Sequence, residues 1–86
     1  WAIGTGNFCS TDDALSVSLM IKKFLTTSYN RNLAQRIKIL YGGSVDNSNA
    51  ASYIKEAKMD GLLVGGASLN ASEFVKIVKN VFQALT

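Results

Sequence analysis

Eighty-six residues, 48% of them hydrophobic and 17% charged, make a globular segment and exclude a disordered one. The net charge of +3 comes from nine scattered Lys and Arg with no run and no aromatic-interleaved stripe, so nucleic-acid binding finds no support. No apolar run approaches the roughly 20 residues that a membrane helix needs, so no membrane partner is expected.

Trp1-Ala2-Ile3 is a short apolar start, and Gly4-Thr5-Gly6-Asn7 is a flexible break after it. Ser10 precedes Asp13 at capping-box spacing. Ala14, Val17, Met20, Ile21, Phe24 and Leu25 then follow a helical period, which predicts a helix from Thr11 to Thr26. Thr27 to Gln35 is polar and reads as a loop with room for one helical turn. Ile37 to Tyr41 reads as a strand, and Gly42-Gly43-Ser44 breaks it. Asn47 is placed to cap a short helix from Ser48 to Glu56, and Met59-Asp60 turn the chain. Gly61 to Val64 is a continuous apolar run of the kind found in a strand covered on both faces. Gly65-Gly66 ends it. Asn70 precedes Glu73 at capping spacing, and Phe74, Ile77, Val78, Val81 and Leu85 stripe a last helix from Ala71 to Ala84.

Strands alternating with helices predict βαβ units, a parallel sheet and right-handed crossovers. The fold class expected is α/β, with residues 1–86 forming one partial domain. The chain opens on Trp1 and not on Met, which reads as a piece of something longer. A chain this short buries only about 60–65% of its unfolded surface, so it is marginal without further protein around it. The low charge fraction points the same way.

The chemistry is legible mainly in the glycines. Gly42-Gly43-Ser44 and Gly65-Gly66 each follow a strand directly, and strand ends carry the ligand site in parallel α/β folds. Glycine lets backbone N–H groups approach an anion, and Ser44 adds a hydroxyl, so a phosphate can be held by neutral donors alone. The same glycines also suit tight turns and nothing more. Asp12 and Asp13 fit a helix first turn, and Glu56 and Asp60 read as surface residues. The absence of His removes the commonest base and metal ligand, so no metal, no cofactor and no catalytic residue is expected in this chain. The lone Cys9 excludes an internal disulfide, fits a reducing compartment, and has no His to activate it.

Three segments in order resemble the triosephosphate isomerase family: Trp1-Ala2-Ile3-Gly4-Thr5-Gly6, Tyr41-Gly42-Gly43-Ser44-Val45, and Gly61-Leu62-Leu63-Val64-Gly65-Gly66-Ala67-Ser68-Leu69. They resemble that family's mobile lid, the loop after its seventh strand, and its eighth strand with its phosphate loop. The resemblance implies the C-terminal part of a (β/α)8 TIM barrel that interconverts dihydroxyacetone phosphate and glyceraldehyde 3-phosphate. It implies phosphate binding by Gly4, Ser44, Gly65 and Gly66. It makes Trp1, Ala2, Ile3, Thr5 and Gly6 the lid, with Tyr41 and Ser44 hydrogen-bonding it when closed. It further implies a cytoplasmic homodimer in glycolysis and gluconeogenesis, with the catalytic Glu, His and Lys upstream of Trp1. One departure stands out: Asn7-Phe8-Cys9 occupies a hinge where the family commonly has small residues, which leaves Cys9 open to oxidation or alkylation near the site. Two other readings stay open at this point, another phosphate-binding (β/α) barrel enzyme and a non-catalytic partial barrel.

Overall fold

The structure, a computed structural model, describes every residue except Trp1, Thr5 and Phe8. Four helices and two strands alternate after the N-terminal loop. Helix α1, Thr11–Ser28, starts where Ser10 Oγ accepts the Asp13 N–H at 3.1 Å, and runs two residues past the expected end. Helix α2, Arg31–Arg36, fills the helical turn for which the Thr27 to Gln35 loop left room and runs one residue past it. Its cap explains the difference, since Asn30 Oδ1 accepts the Leu33 N–H at 2.8 Å and Ala34 is buried against α1.

Strand β1 is Leu40–Gly42, shorter and later than Ile37 to Tyr41. Asp60 is the reason. Its carboxylate accepts the Ile39 N–H at 2.8 Å while its own N–H donates to the Ile39 carbonyl, so residue 39 is closed off before the ladder begins. Asp60 is exposed but is not an idle surface residue. Helix α3, Ala50–Lys55, starts later than expected, because Asn47 does not cap it. The Asp46 carboxylate takes the Ser48 and Asn49 N–H groups instead, at 2.8 and 3.2 Å. Past its end, Lys58 adopts φ +60°, a left-handed conformation that a glycine would accept more easily.

Strand β2, Gly61–Leu63, pairs with β1 in parallel, with Leu40 opposite Gly61, Tyr41 opposite Leu62 and Gly42 opposite Leu63. The segment β1–α3–β2 is therefore one βαβ unit, as the alternation of elements predicts. A short 3₁₀ turn, Gly66–Leu69, follows β2 and leads to helix α4, Ala71–Leu85, capped by Asn70 Oδ1 on the Glu73 N–H. The core lies where α3 meets the sheet and α4: Tyr41, Val45, Ala50, Tyr53, Ile54, Ala57, Met59 and Ile77, joined by Ala2, Cys9 and Ala14 from the N-terminal segment.

The amphipathic stripes are only partly covered. On α1 the buried residues are the small Ala14 and Ser18, while Met20 and Phe24 are exposed. On α4 only Ile77 is fully buried. Leu63, expected to be covered on both faces of the sheet, is 68% exposed. Within the described residues little protein faces those stripes.

Candidate functional site

Parallel strands in register deliver their C-terminal ends to the same edge. Gly43-Ser44 leaves β1 and Gly65-Gly66 follows Val64 after β2, so the two glycine loops become neighbours. Between them lies a cavity of about 500 Å³. Gly4, Ser44, Gly65 and Gly66 all line it, together with Ile3 and Gly6 of the N-terminal loop. Ala2 and Tyr41 line a smaller adjoining cavity of about 190 Å³ with Ile3 and Cys9. The expected lid positions Trp1 and Thr5, and the hinge residue Phe8, lie outside the described residues.

Among the described residues, the lining of the larger cavity carries no Lys or Arg. Its charged member is Asp46, which the sequence reading did not place there. The Asp46 Oδ1 is occupied by three donors, the Ser48 N–H, the Ser48 hydroxyl and the Asn49 N–H, which tie the carboxylate into its own loop. Asn49, buried, shapes the same loop: its side chain donates to the Ser44 carbonyl and accepts the Asp46 N–H, both at 2.9 Å. The local signal was present as an acidic residue followed by Ser and Asn directly after a strand-ending Gly-Gly-Ser-Val.

Ser44 has one hydroxyl proton, and it donates to the Ala2 carbonyl at 2.6 Å. What remains for an anion at this residue is the backbone N–H. Gly4 and Gly6 sit at φ +66° and +75°, where a side chain would be strained, so the loop's curvature over the cavity depends on both. The far end of the loop is held by two phenols. The Cys9 N–H donates to the Tyr41 hydroxyl at 3.2 Å, and the Tyr53 hydroxyl donates to the Cys9 carbonyl. The two rings stack with centroids 3.9 Å apart and planes 15° apart.

Cys9 is buried and its Sγ–H points to the Ser10 carbonyl. Burial, and then the Asp13 carboxylate, push its thiol pKa up. The exposure to oxidation or alkylation expected at this position is therefore not what the fold provides. Tyr53 is likewise pushed up, by burial and then by the Tyr41 phenol beside it. Both groups are neutral structural partners here. No group of three or more His, Cys, Asp or Glu among the described residues could hold a metal.

Behind the cavity, α4 is tied to the loop after β1. Glu73 accepts the Asn47 N–H at 2.8 Å on one carboxylate oxygen and the Asn47 side-chain amide at 2.7 Å on the other. Asn80 donates to the Asn47 carbonyl at 2.8 Å. Capping spacing alone suggests helix-end roles for Glu73 and Asn47; the bond between them joins positions 26 residues apart and has no local signature.

A βαβ unit whose two strand ends open into a shared glycine-lined cavity, lined also by Ile3, Gly4 and Gly6 of the N-terminal loop, defines a parallel α/β protein with a cavity at its strand ends. The chain belongs to the triosephosphate isomerase family, whose sequence profile matches residues 1–81. It is similar to the triosephosphate isomerase of Streptomyces coelicolor, 49% identical over 79 residues, which is 92% of this chain and 31% of that protein. The triosephosphate isomerase of Acidithiobacillus ferrooxidans is 48% identical over 79 residues, again 92% of this chain and 30% of that protein. That of Dictyoglomus thermophilum is 42% identical over 80 residues, 93% and 32%. The chain thus spans about a third of the length of the relatives it matches. No helix among the described residues is long and apolar enough to cross a membrane.

Proposed function

We propose that this chain is the lid and phosphate-rim segment of a triosephosphate isomerase, the C-terminal part of a (β/α)8 barrel. The intact enzyme interconverts dihydroxyacetone phosphate and glyceraldehyde 3-phosphate through an enediolate, as a cytoplasmic homodimer. In this reading residues 1–86 form one partial domain, with the catalytic Glu, His and Lys in the remainder of the barrel. The segment alone isomerises nothing.

One observation carries the reading: residues 4, 44, 65 and 66, separated by up to 62 positions in sequence, line a single cavity. The donors they bring are backbone N–H groups. Fixed amide dipoles stabilise a doubly charged phosphate without reorganising and without a cation that would hold the product back. Ile3, Gly4 and Gly6 line the cradle, and the N-terminal segment is held at Ala2 by Ser44 and at Cys9 by Tyr41, which suits a flap that keeps water from the reacting carbons.

The test is a coupled isomerisation assay on the complete polypeptide carrying this segment, beside the 86-residue chain. Activity in the first and none in the second is expected; no isomerisation by the complete polypeptide sinks the reading. Gly66→Ala refines it. An added methyl there meets no protein atom within 4 Å, so the fold tolerates it, yet it takes up space at the rim. We expect KM for triose phosphate to rise about tenfold with the melting temperature unchanged. An unchanged KM would remove Gly66 from the rim.

A further inference from the structure

We infer that Tyr53 is a positioning residue for the flap: with Tyr41 it forms a two-phenol latch on the Cys9 peptide that holds the flap's C-terminal hinge down over the cradle. The inference rests on the reading of residues 2–9 as a flap over a phosphate site.

The two ends of the Cys9 residue have no backbone partner in this contact. The N–H goes to Tyr41 of β1 and the carbonyl receives the hydroxyl of Tyr53 from α3. Cys9 immediately precedes Ser10, the cap of α1, so it marks the point where the flap joins rigid structure. The phenols therefore attach the Cys9 end of the flap to the sheet and to α3.

Tyr53 does this from inside the core. It is 1% exposed and is the largest fully buried side chain of the chain's described residues. If Cys9 swings away while the core stays closed, the Tyr53 hydroxyl must exchange a peptide carbonyl for the Tyr41 phenol beside it, and the Tyr41 hydroxyl in turn loses the Cys9 N–H, so both buried phenols give up a backbone partner. The latched state is favoured by the same reasoning. Tyr53 also fixes its partner. The Tyr41 ring is stacked on Tyr53, and its hydroxyl lies so near Gly43 that even a methyl there would approach it to 2.5 Å, so the Tyr41 hydroxyl is closely confined. Nothing in the sequence separates this role from that of an ordinary core aromatic, since the contact joins positions 44 residues apart.

The hydroxyl and the ring can be separated experimentally. Tyr53→Phe keeps the stack and removes the hydroxyl; Tyr53→Leu removes both. In the complete polypeptide, amide hydrogen exchange over residues 2–9 is expected to rise about tenfold in Tyr53→Phe, and further in Tyr53→Leu, while exchange in α1 and α4 stays put. KM for triose phosphate is expected to rise about fivefold in Tyr53→Phe with kcat within about twofold, because the closed flap binds ligand and the reacting groups are untouched. Flap exchange that does not move, or that rises only in step with α1 and α4, overturns the latch. So does a fall in kcat at constant KM. Should the variants fail to fold, the unmodified protein decides: the Cys9 amide is expected to be protected relative to Gly4 and Gly6, and equal exchange at all three overturns the proposal. Exchange needs no turnover. A latch seen in a protein that does not isomerise would topple the functional reading alone, whereas isomerisation without a latch would topple Tyr53's role alone.

Discussion

At Gly43 a single missing carbon holds several contacts in place. A Cβ built there stands 2.5 Å from the Tyr41 hydroxyl, 2.9 Å from its ring and 3.1 Å from the Ala2 methyl. The phenol's room to retreat is limited by the Tyr53 ring stacked on it. Gly43→Ala must therefore push Tyr41 off the Cys9 N–H or bend the loop. We expect a loss of about 1–3 kcal/mol in a denaturant titration, together with faster exchange of the Cys9 amide. A stability change within about 0.5 kcal/mol would mean that the ring has more room than the geometry gives it. The sequence shows that a glycine is needed after this strand, but not which neighbour demands it. The sequence offers the pair at residues 42 and 43 both as an opening for an anion and as a tight turn; Gly43 lines the cavity, and its tight contact is to a tyrosine two residues earlier. Lys58 shows the converse, a left-handed position that carries no glycine and so leaves no mark in the sequence.

Among the elements, the local contacts were readable and the distant ones were not. The caps at Ser10 and Asn70 were legible because donor and acceptor are three residues apart and the pattern is fixed by helix geometry. Asn47 was assigned the same role and does something else, since its partner Glu73 is 26 residues away. That pair, with Asn80, fastens α4 to the loop that carries Ser44, and so holds the two glycine loops in one frame. Both Glu73 oxygens accept, one from a backbone N–H and one from an amide N–H. Glu73→Gln preserves the shape but offers one acceptor and sets an NH₂ against a donor. We expect about 1–3 kcal/mol of destabilisation, read from the denaturant midpoint. Glu73→Gln combined with Asn47→Ala should cost less than the sum of the two single changes, since each removes the same contact. Strict additivity in that cycle would show that the strut does not couple the loops.

For the molecule as a whole, the fold class and the cradle were legible, because strand–helix alternation and paired glycines at strand ends are constrained by the backbone itself. What covers the apolar faces was not legible, because that depends on protein outside these residues. The two-stranded parallel sheet leaves both outer edges open, and Leu40 and Leu63 are exposed on its strands. Between β2, α3 and α4 runs an apolar hollow of about 580 Å³, with Phe74, Val78, Val81 and Leu85 along it. Parallel sheets are found almost only with both faces covered, and an open edge beside an apolar face is a template for association. In a (β/α)8 barrel, neighbouring strands and helices would close both edges and fill this hollow. The 86-residue chain alone is therefore expected to elute above monomer size in gel filtration and to melt broadly. Supplying the rest of the barrel in trans is expected to shift it into a single stoichiometric complex with a sharp transition. A monomeric chain with a cooperative two-state melt would show that these faces are satisfied within the chain, and the partial-barrel reading would then have to be given up.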